Sequence, residues 1–165
     1  MLEKGDLVSV VIPAYNTEKY IKPMIESLKA QSYQNLQIIF VDDGSCDGTA
    51  EIIKEYQSED HRVEYYYQKN QGVSIARNNG LKRVKGKKLF FFDSDDTFEN
   101  DLIESCVNFA IAQSVDAVLY GYADKVLGKK ENEHVFELHG SFRDDQIAKE
   151  VIPSFLGHSY EDVNE

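Results

Sequence analysis

Residues 36–45, LQIIFVDDGS, decide how the rest of the chain is read. From Leu36 to Val41 the run is apolar but for Gln37, and it then meets two carboxylates, a glycine and a serine. A run this short suits a strand better than a helix. Near-continuous apolarity suits a parallel strand covered on both faces. Working outward, residues 7–12 (LVSVVI) have the same character and end at Pro13, and 63–67 (VEYYY), 89–92 (LFFF) and 117–122 (AVLYGY) are further strand candidates. Between them lie segments with helical spacing. Ile21, Ile25 and Leu28 form one, with Thr17 placed to cap it and Pro23 best accommodated in its first turn. A second starts at Thr49 and carries Ile52, Ile53 and Tyr56, a third covers about 73–84, and a fourth carries Leu102, Ile103, Cys106, Val107 and Ala110. This alternation predicts an α/β fold, a mainly parallel sheet flanked by helices.

Beyond Ala123 the pattern weakens. Residues 124–133 are charged and read as a surface loop, followed by a strand around 134–138 and a weaker helix over 144–155, broken near Pro153. The expected organisation is an α/β region over 1–123 and the incomplete start of a second region over 124–165, together one structural domain.

The 165 residues carry 29 acidic and 18 basic side chains, a net charge of −11. Such a surface gains nothing from nucleic acid or anionic lipid, because neither can exchange its counterions for a like-charged partner. A phosphate-bearing ligand is repelled as well, unless a cation inverts the field at its site. Cys46 and Cys106 have neither disulfide-framework nor zinc spacing. His61, His134, His139 and His158 show no metal-ligand spacing either. No apolar stretch approaches the ~20 residues of a membrane span, and the start lacks a signal-peptide pattern. A reduced, cytoplasmic setting is expected.

In open parallel sheets ligands bind beyond the carboxyl ends of the strands. Three predicted strands end in polar clusters: Pro13-Ala14-Tyr15-Asn16, Asp42-Asp43-Gly44-Ser45 and Asp93-Ser94-Asp95-Asp96. In a parallel sheet all three share one rim. Asp93 and Asp95 crowd negative charge where the chain leaves the sheet, which is costly unless a cation neutralises it. Mg²⁺ or Mn²⁺ does so through oxygen ligands and keeps positions open for phosphates. Read alone, the cluster is equally an Asp-rich turn starting a helix at Asn100 or Asp101. The two companion clusters favour the metal site.

Asp43 can accept hydrogen bonds from a base or ribose, whereas Asp42 is assigned to the turn. Ser45 or Asp47 can cap the helix that follows. Residues 70–80, NQGVSIARNNG, put Gly72 at a helix entrance and Arg77 about one turn inside, where it can meet a diphosphate, an acidic loop, or both. Tyr65, Tyr66 and Tyr67 are read as strand packing rather than a sugar platform. Neither GxGxxG nor GxxxxGK[ST] occurs, against dehydrogenase and P-loop readings.

Four motifs in order, VSVVIPAYN, VDDGSCDGT, NQGVSIARNNG and FFFDSDD, resemble those of glycosyltransferase family 2 over about residues 7–101. The resemblance implies the GT-A fold, a nucleotide-diphospho-sugar donor (a UDP-sugar is favoured), a divalent metal, and transfer with inversion to a carbohydrate or lipid-linked acceptor. By position it implies that Pro13, Ala14 and Tyr15 line the nucleotide pocket, Asp43 recognises the base and Arg77 lies near the nucleotide. Asp93 and Asp95 match the family's DxD, Asp95 as metal ligand and Asp93 as a ribose or water-mediated contact, with Asp96 able to share these roles. Bacterial relatives of this kind build cell-surface polysaccharides, at the inner face of the membrane in a full-length protein.

The family's distal acidic base has only Glu161-Asp162 as a match, earlier than the family pattern places it. The general base is therefore expected to be missing, and the chain to stop before the enzyme is complete. Two other classes compete. A non-catalytic nucleotide-sugar-binding or partner module has the same motifs, and a nucleotidyltransferase needs a Gly-rich basic loop near the first strand that this sequence lacks.

Overall fold

The computed structural model describes residues 3, 5–126 and 129–134. The elements are β1 (Val8–Ala14), α1 (Ile21–Lys29), β2 (Leu36–Asp42), α2 (Thr49–Glu59), β3 (Val63–Tyr67), α3 (Val73–Leu81), β4 (Lys88–Phe91), α4 (Leu102–Gln113), β5 (Tyr122–Val126) and β6 (Lys129–His134). The chain divides into two units after Ile111, and each is described by itself.

In the first unit β1 to β4 form one parallel sheet in the order β3-β2-β1-β4. All seven residues of β1 and all seven of β2 are buried. These are the two central strands, covered on both faces, so the continuous apolar runs in the sequence are accounted for. The chain moves outward from β1 through β2 to β3, then returns across the sheet to place β4 on the other side of β1. That reversal falls beside β1, and it is at the carboxyl end of such a switch point that open α/β sheets hold ligands.

Helix α1 buries Ile21, Met24, Ile25 and Leu28, and Pro23 sits in its first turn as expected. Thr17 does not cap it through its side chain: its carbonyl oxygen receives the N–H groups of Tyr20 and Ile21. Helix α3 ends at Leu81, earlier than 84, and Val84 N–H closes a turn onto the Leu81 carbonyl. Ala76 on α3 packs with Val11, Ile39 and Val41. Gly80 lies so close to the sheet that an added Cβ would collide with Val11 Cγ1 and stand 3.3 Å from Val41 Cγ2.

The turn from α2 into β3 is fixed by an ion pair. Arg62 donates from Nε to Asp60 Oδ1 at 3.0 Å and from its terminal nitrogen to Asp60 Oδ2 at 2.7 Å, with both side chains largely buried. This arrangement holds the Asp60 carboxyl below the usual carboxylate range, the Arg62 hydrogen bonds being the largest cause. A lowered folded-state pKa stabilises the fold above the ordinary carboxylate range, and this stabilisation fades as pH falls through the folded value. Asp60→Asn is therefore expected to cost about 1.5 kcal/mol at pH 7, the range for a charge-assisted bond. In urea unfolding the gap to the parent should close below about pH 4.

In the second unit, β5 and β6 form an antiparallel pair with an irregularity at Asp124/Lys125. This corrects two expectations. Residues 117–121 contain no strand, and the charged stretch read as a loop supplies both strands. Apolar periodicity cannot announce such a pair, because its sequence, YADKV and KKENEH, has no apolar face to bury. The helix expected over 144–155, residues 135–138 of the strand expected over 134–138, and Glu161 and Asp162 lie outside the described residues.

Candidate functional site

The three polar clusters leave the sheet at one rim, as the parallel arrangement requires: β1 ends at Ala14, β2 at Asp42 and β4 at Phe91. Pro13 and Ala14 are buried within β1 and Tyr15 just beyond is 49% exposed. Ala14 O accepts Asp43 N–H on the β2 side, and Val11 O accepts Phe92 N–H on the β4 side. By alternation Pro13 faces β4, whose register ends at Val11↔Phe91. Its missing N–H thus interrupts no ladder bond.

The β1 and β2 loops are latched together. Asn16, with φ 51°, donates its N–H to Ser45 Oγ and receives Cys46 N–H on Oδ1. Thr17 N–H bonds to Thr49 Oγ1, Glu18 N–H to Asp47 Oδ2, and Gly48 N–H to Glu18 Oε2. Asp47 also accepts Thr49 N–H, so of the two residues proposed to cap α2 it is Asp47 that serves the helix start while Ser45 serves the loop.

The paired carboxylates after β2 have distinct partners. Asp42 is fully buried and accepts Ser45 N–H at 2.8 Å and the Tyr65 hydroxyl at 2.7 Å, the structural role expected of it. Burial first, then this carboxylate, hold the Tyr65 phenol above its ordinary range, so it remains a donor. Asp43 is 4% exposed and takes three bonds: Oδ1 from Gln68 Nε2 at 2.7 Å and Gln71 N–H at 2.8 Å, Oδ2 from Gly72 N–H at 2.8 Å. Asp43 thereby supplies the negative charge that the N-terminus of α3 favours. Gly72 there has φ 92°, open to glycine, and Gly44 at φ 81° lies where a Cβ would be 2.9 Å from Asn70 N.

Helix α3 carries the connection to the third cluster. Arg77 forms an ion pair with Asp93, while its Nε is buried without a partner among the described residues. The two side chains are 37% and 50% exposed, so water screens the pair. Ser94 turns inward and is 5% exposed, whereas Asp93 and Asp95 on either side are exposed. Phe92 anchors this loop by stacking on Phe98 at 3.7 Å. Among the described residues nothing donates a hydrogen bond to Asp95. Desolvation, then the charges of Asp95 and Asp93, raise the Asp96 carboxyl above the usual carboxylate range.

One chain of contacts therefore joins the predicted residues: Asp43 to Gly72, along α3 to Arg77, and on to Asp93 beside Asp95. Gln68 lies outside the clusters quoted from the sequence, and Asn16, Gln71 and Asn79 lie inside them with no role assigned, yet all four donate or accept within this framework. The available signal was an amide-rich stretch leading into a glycine before a helix.

No group of three His, Cys, Asp or Glu among the described residues is arranged to hold a metal ion. The donor set fits a weaker demand. Mg²⁺ or Mn²⁺ in phosphate sites is held by one or two carboxylates with phosphate and water completing the shell. An exposed, unbonded Asp95 in a crowded acidic turn meets that description, whereas Asp93 is already engaged by Arg77.

A concavity of about 580 Å³ lies at the opposite end of the sheet, between Leu36, Gln37, Asp60, Arg62, Glu64 and Lys85. Its charged groups neutralise one another, Arg62 with Asp60 and Lys85 with Glu64. It is also remote from the strand reversal, so the carboxyl rim is the better site.

Residues 9–160 match the family described as Glycosyl transferase family 2. The glycosyltransferase GlyA of Streptococcus pneumoniae is 37% identical over 134 residues, 81% of this chain and 19% of that protein. The putative teichuronic acid biosynthesis glycosyltransferase TuaG of Bacillus subtilis is 37% identical over 118 residues, 71% of this chain and 47% of that one. The chain thus spans less than half the length of either relative. The structure of S. aureus TarS 1–349 in complex with UDP-GlcNAc superposes with a TM-score of 0.70 at 28% identity, over 79% of this chain and 38% of that one. The GT-A fold implied by the four motifs is the fold of this chain. By its motifs, its sheet order and these likenesses, the chain belongs to glycosyl transferase family 2.

Proposed function

We propose that this chain binds the donor for an inverting glycosyltransferase, which moves a sugar from a nucleotide-diphospho-sugar to an acceptor hydroxyl in cell-surface polysaccharide synthesis. The contact chain from Asp43 through α3 to Arg77 and Asp93, ending beside the unbonded Asp95, carries the reading. The binding of UDP-GlcNAc by TarS and the teichuronic acid pathway named for TuaG support a UDP-sugar and a wall or capsule product.

In this reading residues 1–123 hold the donor and 124–165 begin the acceptor side. Pro13 and Ala14 wall the pocket, the exposed ring of Tyr15 lies against the nucleotide, and Asp43 accepts a proton donor of the base. Arg77 contributes positive charge toward the diphosphate, and Asp93 holds the guanidinium in place. Asp95 would hold Mn²⁺ or Mg²⁺. The ion, when bound, offsets the charge of the diphosphate against a net charge of −11. Attack by the acceptor oxygen requires a carboxylate base; the candidate pair Glu161-Asp162 lies outside the described residues. The setting is the cytoplasm, peripheral to the inner face of the membrane, and no described helix is long and apolar enough to cross it.

Calorimetric titration of the full chain with UDP tests this. Saturable binding that requires Mn²⁺ and is reversed by chelation is expected. Folded protein that binds no UDP in the presence of Mn²⁺ would overturn the proposal.

A further inference from the structure

The carboxylate of Asp43 has few acceptor sites left. An ionised carboxylate offers about four lone-pair sites, and three are taken by Gln68 Nε2, Gln71 N–H and Gly72 N–H. Oδ1 carries two of these bonds and Oδ2 one, which leaves Oδ2 with room for a single further donor. The two backbone donors are fixed by the entrance to α3. The third is a side chain whose orientation is itself fixed: Asn79 Nδ2, on α3, donates to Gln68 Oε1 at 2.8 Å. With its oxygen held by Asn79, the Gln68 amide must turn its NH₂ toward Asp43. Gln68 is tied to the strand ends as well, since its N–H bonds to the Asp42 carbonyl.

We infer that Gln68, oriented by Asn79, is a specificity-determining residue that makes Asp43 select a base with one ring N–H donor. The inference rests on the donor-binding reading above. An imide pyrimidine such as uracil presents one N–H between two carbonyl acceptors, matching one open site. Guanine presents two adjacent donors, N1–H and N2–H, which a free carboxylate would accept side by side. With Gln68 on Oδ1, that paired acceptance is blocked, and one guanine donor is left unsatisfied beside a carboxylate that is only 4% exposed. A buried donor without a partner is the strongest available basis for rejecting a ligand. Asn79 acts only through Gln68 and is a positioning residue.

The test compares UDP and GDP binding, each with Mn²⁺, in the full chain and in Gln68→Met, Asn79→Asp and Asp43→Asn. The parent should favour UDP by at least about tenfold. Gln68→Met has nearly the same shape but no amide, so it should shrink that preference to about threefold or less. Asn79→Asp should do the same: its carboxylate attracts the Gln68 NH₂ and turns the amide oxygen toward Asp43. In an Asp43→Asn background neither change should move the ratio. A merely structural role would weaken both nucleotides equally and leave the ratio alone. If Gln68→Met fails to fold, Asn79→Asp decides. A parent that binds UDP with an unchanged UDP:GDP ratio in the variants overturns the inference while sparing the donor site. A parent that binds neither nucleotide overturns the donor site itself.

Discussion

Replacing Asp95 with alanine is expected to weaken Mn²⁺-dependent UDP binding about 100-fold, close to 3 kcal/mol, while the unfolding midpoint barely moves. The two halves of this result have separate causes. Asp95 is exposed and accepts no hydrogen bond among the described residues, so folding loses nothing when its carboxylate goes. The ligand loses the carboxylate proposed to hold a cation against it, in a chain whose charge repels a diphosphate. Asp93→Ala should behave differently. It releases Arg77, whose guanidinium remains able to meet phosphate, so the metal dependence should persist with a smaller loss of affinity. Calorimetry with and without Mn²⁺, beside thermal unfolding of each variant, separates the two. Equal losses in both variants would mean that the acidic turn acts as a diffuse charge rather than through Asp95.

Gly80→Ala is expected to destabilise the fold by about 2–3 kcal/mol, the usual cost of overpacking a dense core. Two effects oppose each other. Alanine is the better helix former by about 1 kcal/mol in a helix interior. Gly80 lies in the last turn of α3, however, so little of that gain is realised. The added methyl would meet Val11 and Val41, both essentially inaccessible, on central strands that cannot easily move. The clash therefore wins. Chemical denaturation should show a lower midpoint with an unchanged slope. In a Val11→Ala background the same substitution should be close to neutral, because the colliding methyl is gone. A stabilised Gly80→Ala variant would mean that α3 stands farther from the sheet than the Ala76 and Gly80 contacts place it. Since α3 carries Arg77 and receives Asp43, such a shift would also loosen the site.

The sheet was legible because its central strands are buried on both faces and wrote themselves as LVSVVI and LQIIFV. The rim was legible because each strand ends abruptly in groups that do not belong in a core. Both follow from burial. The bonds that convert the rim into a site were not legible. Asp43 looked like a free acceptor in the sequence, but three donors already hold it. Two of those donors are backbone N–H groups, whose direction depends on the turn at Gly72 rather than on residue type. Gln68 and Asn79 read as ordinary loop and helix polars, because an amide pair eleven residues apart becomes a relay only once α3 folds back along β3's exit. The β5–β6 pair was invisible for a different reason: the sequences YADKV and KKENEH carry no apolar alternation to betray it.

Paramagnetic broadening places the cation without relying on activity. Mn²⁺ added with UDP to the isotopically labelled full chain should first erase amide signals of residues 93–96, then those of 14–16, 43–45 and 72–77. Broadening that starts instead around residues 34–37 and 60–64, at the other end of the sheet, would contradict the assignment of the carboxyl rim as the donor site.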